Sequence, residues 1–394
     1  MRSSEPGSTA AHRSPVPLTL VWVERTTDST AAGAHLRGTL ARLEDPRLQT
    51  CIVTDESEGA RWLPEVVSKI VRILSVVGRA RLARCNGVLL ARWSPFIVWS
   101  SRRWRRHGLQ SVIFVQGNLD DLYHSNPWTR LVPWITTVAL ESIRDASHIV
   151  TPSEGLAEWV STLRPDGRAS VTVIANGADV QLFDRERRSL DRESTTPRAL
   201  FFGNMADWQG IDTVLAALKD PLWPEDLELW FIGDGQMADV VRQSDDQRVR
   251  YLGRQPKAQV ARAAAEAEIT LATRHADGAS ATGVSPFKII ESAAAGTPCI
   301  VTRVPGQTEL AQDIGGSLLI PADDPSALAQ AVARLHGDPV LRERLAADAV
   351  RGVSRYDWTA SGPALTSIVL AVAGIEASLD SGTHPAPNQQ RPLT

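Results

Sequence analysis

Lys288 and Glu291 stand three residues apart in Ser285-Pro286-Phe287-Lys288-Ile289-Ile290-Glu291, which runs into Ser292-Ala293-Ala294-Ala295-Gly296-Thr297-Pro298. The run reads as a loop delivering a charged pair to the start of a short helix. Ser285 is a good N-cap, Pro286 suits the first helical position, and Gly296 supplies the left-handed stop. The spacing puts Lys288 and Glu291 on one helix face. A lysine near a helix N-terminus is disfavoured by the helix dipole, and the placement makes sense if an anion such as a phosphate binds between the two. The competing reading is an ordinary i,i+3 salt bridge on a partly exposed helix. Lysine is rare here, occurring at Lys69, Lys219, Lys257 and Lys288, with arginine supplying the other cations.

Two more stretches carry chemical information. In Leu229-Trp230-Phe231-Ile232-Gly233-Asp234-Gly235 an apolar strand ends in a two-glycine loop, where backbone can approach a phosphate closely and adopt positive φ. From Arg61 to Arg106 eleven Arg/Lys face one acid, Glu65, and are interleaved with Trp62, Trp93, Trp99 and Trp104. Arg102, Arg103, Trp104, Arg105 and Arg106 are the densest part. That mixture suits an anionic membrane surface with tryptophan at headgroup level, or else a plain basic helical face. No nucleic-acid motif accompanies it, and no nucleic-acid partner is expected.

The elements that must position these residues follow from length and pattern. The chain has 394 residues, 43% of them hydrophobic, and a net charge of -3, which fits a soluble protein with two separate cores. Three scattered cysteines, Cys51, Cys85 and Cys299, point to a reducing cytoplasm and away from disulfides or zinc. Residues 1–17 are polar without a signal-peptide core, and no run of 18 apolar residues occurs. Residues 379–394 read as a second disordered tail. Between the tails, two halves alternate short apolar runs with helical segments, the pattern of parallel sheets covered on both faces. The expected organisation is a domain over 18–183, a charged linker over 184–197, a second domain over 198–358, and a helix over 359–378. Doubly wound domains bind ligands outside their strand C-termini.

The lysine motif resembles the nucleotide-sugar motif of the family-four glycosyltransferases. Its usual form is two glutamates eight apart followed by a small-residue helix and Gly-x-Pro-hydrophobic. Glu291 matches the second glutamate, and Gly296-Thr297-Pro298-Cys299-Ile300-Val301 the sequel. Gly283 stands where the first glutamate would fall, giving a Ser-Pro-x-Lys-x-x-Glu variant. Val150-Thr151-Pro152-Ser153-Glu154 and Asn176-Gly177-Ala178-Asp179 resemble two of the family's turns. Arg355-Tyr356-Asp357-Trp358 with the apolar helix after it resembles the segment that returns to the first domain.

The resemblance implies an α/β GT-B fold: two doubly wound Rossmann-like domains facing a cleft, with a C-terminal helix crossing back. It implies a retaining hexosyl transfer from a nucleotide sugar, most often UDP-linked, to an acceptor hydroxyl, in envelope glycan, glycolipid or natural-product synthesis. Glu291 would hold the ribose. Lys288 and Arg274 would neutralise the diphosphate, since the positions that usually present arginine and lysine look like Asn204 and Gln209. Gly233 and Gly235 would lie at the donor, backbone of Gly283, Val284, Ser285 and Pro286 would hold the sugar, and Gly33 stands where a paired-glycine loop is usual. On the acceptor side Gln116 and Asn118 could hydrogen-bond a sugar, and Asp120 and His124 could orient the acceptor. No Asp-x-Asp occurs, so neither a metal nor another cofactor is expected. Acceptor classes left open are a glycan, a lipid-linked molecule or a small molecule. The expected location is the cytoplasm or the inner face of its membrane. The missing glutamate and clamp cations also admit an inactive auxiliary subunit, and a nucleotide-sugar epimerase is a further alternative.

Overall fold

The computed structural model describes residues 15–22, 31–54, 87–94, 109–125, 127–190, 196–276 and 285–375. The basic tryptophan-bearing stretch around Arg102–Arg106, Gly283, Val284 and both tails lie outside these residues, as does the side chain of His124.

The first domain runs β1 (Val16–Trp22), α1 (Ala31–Arg42), β2 (Leu48–Thr54), β3 (Val88–Arg92), β4 (Gln110–Phe114), α2 (Leu119–Ser125), α3 (Pro133–Asp145), β5 (His148–Thr151), α4 (Glu154–Leu163) and β6 (Val171–Val173). Its strands are parallel in the order β2-β1-β3-β4-β5-β6. Val88, Leu89, Leu90 and Ala91 are all buried, as expected of a strand covered on both faces. After α5 (Val180–Ser189) comes the second domain: β7 (Arg198–Asn204), α6 (Ile211–Ala217), β8 (Glu228–Asp234), α7 (Ala238–Arg242), β9 (Val249–Tyr251), α8 (Lys257–Glu266) and β10 (Ile269–Ala272). It continues through α9 (Phe287–Ala294), β11 (Cys299–Thr302), α10 (Gln307–Ile314), β12 (Ser317–Ile320), α11 (Pro325–Gly337) and α12 (Pro339–Val353). Its sheet order is β12-β11-β10-β7-β8-β9, also parallel. The order reverses between β7 and β10. Loops leaving the ends of those two strands diverge and open a crevice, the place where such sheets bind ligands.

The charged stretch read as a linker is a correction. Asp184–Ser189 is the second half of α5, capped by Asp179, whose Oδ1 accepts from Leu182 N at 3.0 Å. Phe183 is fully buried among residues of the second domain, including Ile289 and Ile290. The chain therefore passes between domains near Ala178, ahead of the charged run. The returning segment lies beside it, joined by a single β-bridge: Ala178 N donates to Tyr356 O at 2.9 Å and Trp358 N to Ala178 O at 3.2 Å. Helix α13 (Gly362–Val372) then buries Leu365, Val369 and Leu370 against Leu18, Leu20 and Phe114 of the first domain, the expected crossing back.

Trp358 fills this crossover. Its indole meets His35 edge-on at 6.0 Å and Phe287 at 5.7 Å, with the Arg42 guanidinium 4.6 Å from the ring centroid. A Cβ at Gly38 would sit 2.1 Å from that indole, too close without movement of a buried ring. Gly38→Ala should therefore cost about 1–3 kcal/mol by overpacking. Introducing Trp358→Phe in the same chain should recover part of the lost thermal midpoint. A Gly38→Ala protein as stable as the parent would mean the indole has room to shift.

Candidate functional site

The crevice at the β7/β10 reversal is built by four segments. The β7–α6 loop brings Gln209, the end of β10 brings Arg274, and α9 brings Lys288 and Glu291. From the other domain, the β4–α2 loop brings Gln116 and Asn118, and the first turn of α2 brings Asp121.

Helix α9 begins one residue later than the sequence suggests. Pro286 is its N-cap and no side chain caps it, so Ser285 lies outside the helix. Pro286 is extended (φ -74°, ψ 130°), and the Ser285 carbonyl is turned to the crossover, where Asn176 Nδ2 donates to it at 3.0 Å. Gly296 ends the helix with φ 67°, as expected.

Lys288 and Glu291 are both buried, but they are not each other's partner. Lys288 Nζ donates to Gln209 Oε1 at 2.8 Å and lies 3.8 Å from the Phe201 ring centroid. Glu291 Oε1 instead accepts from Lys257 Nζ at 2.5 Å, and that lysine comes from the first position of α8. The i,i+3 salt bridge is thus ruled out by geometry, and a residue distant in sequence takes its place. Burial pushes the Lys288 ammonium down to about 7; the Arg274 guanidinium acts in the same direction, while Cys299 and Glu291 act against it. A cation that burial leaves close to neutral is one an arriving anion can recharge.

Arg274 is 6% exposed. Its backbone N donates to Thr302 Oγ1 at 2.9 Å, and Gln307 Nε2 holds the same hydroxyl at 3.2 Å. Thr273 Oγ1 donates to Gln209 O at 2.8 Å, so the two loops flanking the reversal are tied together. Arg274 Nη2 reaches 3.9 Å from Asp121 Oδ1, a contact between domains.

On the acceptor side the structure reassigns Asn118. Asp121 N donates to Asn118 Oδ1 and Asn118 N to Asp121 Oδ2, each at 3.1 Å, a reciprocal cap on α2. Asn118 is buried in that role rather than presented to a ligand, and its partner Asp121 is the carboxylate that faces Arg274. Gln116 is half-buried beside them and Asp120 is exposed.

The glycines also have structural reasons. Gly233 and Gly235 have φ of 139° and 152°, and a Cβ would meet the Gly203 carbonyl at 1.8 Å and the Met205 carbonyl at 2.6 Å respectively. Their freedom serves the close approach of β8 to β7. Asn204, at the exposed end of β7, packs against the same loop. Gly33 is not in a loop but in the first turn of α1.

The sequence reading missed Lys257, Asp121 and His275. Asn118-x-x-Asp121 was legible as a capping pair; Lys257 carried no local signal. His275 lies between Asp323 and Asp212; burial works against its charge, but the two carboxylates carry its pKa upward.

Known proteins resemble this chain in sequence and fold. Residues 196–338 match the family model described as glycosyl transferases group 1, which spans most of the second domain. A phosphatidyl-myo-inositol mannosyltransferase of Mycobacterium leprae is 26% identical over 338 residues, covering 79% of this chain and 85% of the relative. Its counterpart in Mycolicibacterium smegmatis is 30% identical over 209 residues, 51% of this chain and 52% of that one. Among solved structures, Anabaena HepE in complex with UDP superposes with a TM-score of 0.64 at 15% identity, covering 90% of this chain and all of that one. Sucrose-phosphate synthase of Thermosynechococcus elongatus gives 0.68 at 16% identity, covering 91% of this chain and 99% of that one. The fold is GT-B.

One consequence of the buried lysine is independent of any ligand. In an unfolded chain a lysine keeps its proton to about pH 10.4. From about 7 upward the folded protein has lost that proton and the unfolded chain has not, so this group's contribution to stability rises with pH. The thermal midpoint of the parent relative to Lys288→Met should accordingly improve between pH 7 and pH 9. A gap that stays constant would show the ammonium charged throughout.

Proposed function

We propose that the protein is a retaining glycosyltransferase that moves a hexosyl unit from a nucleotide sugar, UDP-linked, to an acceptor hydroxyl. The observation that carries this reading is the joint placement of Lys288, Gln209 and Arg274 around the strand-order reversal of a domain matching glycosyl transferases group 1. UDP and UDP-glucose occupy related folds in Anabaena HepE, which supports the choice of nucleotide.

In this reading the nucleotide lies on the second domain. Glu291, held through one oxygen by Lys257, offers the other to the ribose hydroxyls. Lys288 takes up a proton as the diphosphate arrives and, with Arg274, stabilises the negative charge that grows on it as the glycosidic bond breaks. Fixed cations of this kind stabilise a leaving group without reorganising when the bond breaks. Backbone of Ser285 and Pro286, with Gly283 and Val284, holds the transferred sugar. Gln116 faces the acceptor. Apposition of the domains, with Asp121 meeting Arg274, keeps water from intercepting the donor.

The finer assignments rest on sequence. A cytoplasmic enzyme at the inner membrane face, acting on a lipid-linked acceptor in envelope glycan or glycolipid synthesis, accounts for the Arg/Trp stretch. It also fits the phosphatidyl-myo-inositol substrates named for two relatives. A second reading, an inactive auxiliary subunit, is favoured by Gly283, Asn204 and Gln209 standing where the resemblance leads one to expect charged groups. Measuring donor consumption with and without acceptors distinguishes the two.

A thermal-shift screen of nucleotide sugars finds the donor, since a ligand at 100 times its Kd stabilises by about 2.7 kcal/mol. With that donor, Glu291→Ala should raise KM at least tenfold in a folded protein. Lys288→Ala should weaken nucleoside diphosphate far more than nucleoside. Equal losses for both ligands would make Lys288 a structural residue.

The membrane assignment has its own test. Sedimentation with anionic vesicles at low salt should capture the protein, and replacing Arg102, Arg103, Arg105 and Arg106 with glutamine should release it. Each lysine or arginine near such a surface contributes about 1 kcal/mol, screened by salt. Failure to sediment at low salt would leave a soluble acceptor as the better assignment.

A further inference from the structure

His275 follows Arg274 in the chain, and its imidazole is partly buried between two carboxylates from different loops. Nε2 lies 3.0 Å from Asp212 Oδ1, in the first turn of α6, and Nδ1 bonds to Asp323 Oδ1, in the loop between β12 and α11. Ionised carboxylates only accept hydrogen bonds, so both ring nitrogens must donate, and a ring with two N–H groups is an imidazolium. A neutral ring would turn a lone pair toward an anion whichever tautomer it took.

The backbone here is fastened to the same loops. Thr273 Oγ1 donates to Gln209 O at 2.8 Å, Arg274 N to Thr302 Oγ1 at 2.9 Å, His275 N to Trp208 O at 3.0 Å and Ala276 N to Asp323 Oδ2 at 3.2 Å. Four successive residues thus tie the end of β10 to the β7–α6 loop, the end of β11 and the β12–α11 loop. Asp323 has φ 58°, and among the described residues no other non-glycine residue has a positive φ. Such a conformation persists where the surroundings hold it, and here His275 and Ala276 engage both carboxylate oxygens. Of all these ties, those of the imidazole ring are the ones that depend on a proton exchanged near neutral pH.

Asp212 on α6 and Asp323 on the β12–α11 loop are the charged groups facing the ring among the described residues. Asp324 is occupied as the cap of α11, accepting from Ala327 N at 2.9 Å, and the Arg274 side chain reaches instead toward Asp121 of the other domain. Burial works against the imidazolium, but the two carboxylates outweigh it, so its pKa lies above the ordinary imidazole value. In an unfolded chain the group titrates near about pH 6.5. The bridge is therefore intact below that pH and is lost as pH rises through the higher folded value.

We propose that His275 is a positioning residue of the crevice: as an imidazolium bridging Asp212 and Asp323 it fixes the strand-end segment that presents Arg274, and loss of its proton on the alkaline side releases that segment. The consequence for a bound diphosphate rests on the donor reading given above; the bridge itself does not.

Hydrogen exchange on the full chain reads the bridge without a ligand. Protection of the Arg274, His275 and Ala276 amides, each relative to its intrinsic rate at the same pH, should fall at least fivefold in wild type between pH 6 and pH 9. In His275→Gln, which stays polar but carries no charge, protection at pH 6 should already match wild type at pH 9. Asp323→Asn, which keeps a residue tolerant of left-handed backbone, should move the NMR titration of the imidazole to lower pH. UDP is the probe of Arg274 placement. Wild type should bind it at least threefold more tightly than His275→Gln at pH 6, with the ratio approaching one at pH 9. Lys288 titrates in the same range, but it is common to both proteins and drops out of that ratio. Wild-type protection that does not change with pH overturns the proposal, as does an equal fall in His275→Gln. Exchange as expected with equal UDP affinities at pH 6 makes His275 a structural residue and overturns its positioning role. UDP binding to neither protein overturns the donor reading instead, and the exchange result then decides the bridge.

Discussion

The Lys288 ammonium lies against the Phe201 ring and a glutamine oxygen, with no carboxylate in ion-pair range among the described residues. Burying an unpaired ion is costly enough that the group gives up its proton instead. The surrounding architecture holds the lysine there all the same. Gly203, with φ 112°, leaves space at the end of β7 where a Cβ would come into contact with the lysine side chain. Gln209 is positioned by Thr273, and Thr302 and Gln307 fix the next strand end, so the lysine sits among anchored dipoles rather than mobile ones. Such a group responds to an anion and to little else, because what it lacks is a negative charge.

Glu291 shows the complementary solution. A buried carboxylate one turn further along the same helix is paired with Lys257, so one cation is used to fix an anion while the other is left without an ion pair among the described residues. Had the two residues of α9 paired with each other, neither would be available to a ligand. Separation of the pair therefore depends on α8, whose first residue is Lys257, and on Phe183 of α5, whose ring lies 5.2 Å from that lysine. The helix read as a linker thus belongs to the support of the site.

The alternation of short apolar runs with helical segments appears in the described residues as two six-stranded parallel sheets, and the run Leu229–Ile232 lies in β8, because parallel strands covered on both faces are written as continuous hydrophobic segments. The crevice was legible for the same reason, since strand-end loops follow from strand order. Partnerships were not. Glu291 and Lys257 are 34 residues apart, and nothing local in either segment announces the other. The charged surface of α5 hid a helix that Phe183 anchors from the opposite face. Asn118 looked like a ligand-facing amide because capping and sugar binding use the same chemistry, and burial distinguishes them only in three dimensions.

Two of the buried cations, Lys288 and Arg42, differ in a way that follows from their chemistry. A lysine ammonium can shed its proton near neutral pH, so burial makes Lys288 a group whose charge depends on what is bound beside it. A guanidinium lowered to about 10 still holds its proton, so Arg42 carries a permanent charge under the crossover. Carbonyl dipoles and the Trp358 ring offset part of that charge. A permanent buried charge is tolerable at a junction that does not rearrange, whereas a switchable one suits a surface that alternates between holding an anion and releasing it. Lys288 in the crevice and Arg42 under the crossover therefore answer a nearby anion differently: the first can change its protonation state, while the second keeps its charge.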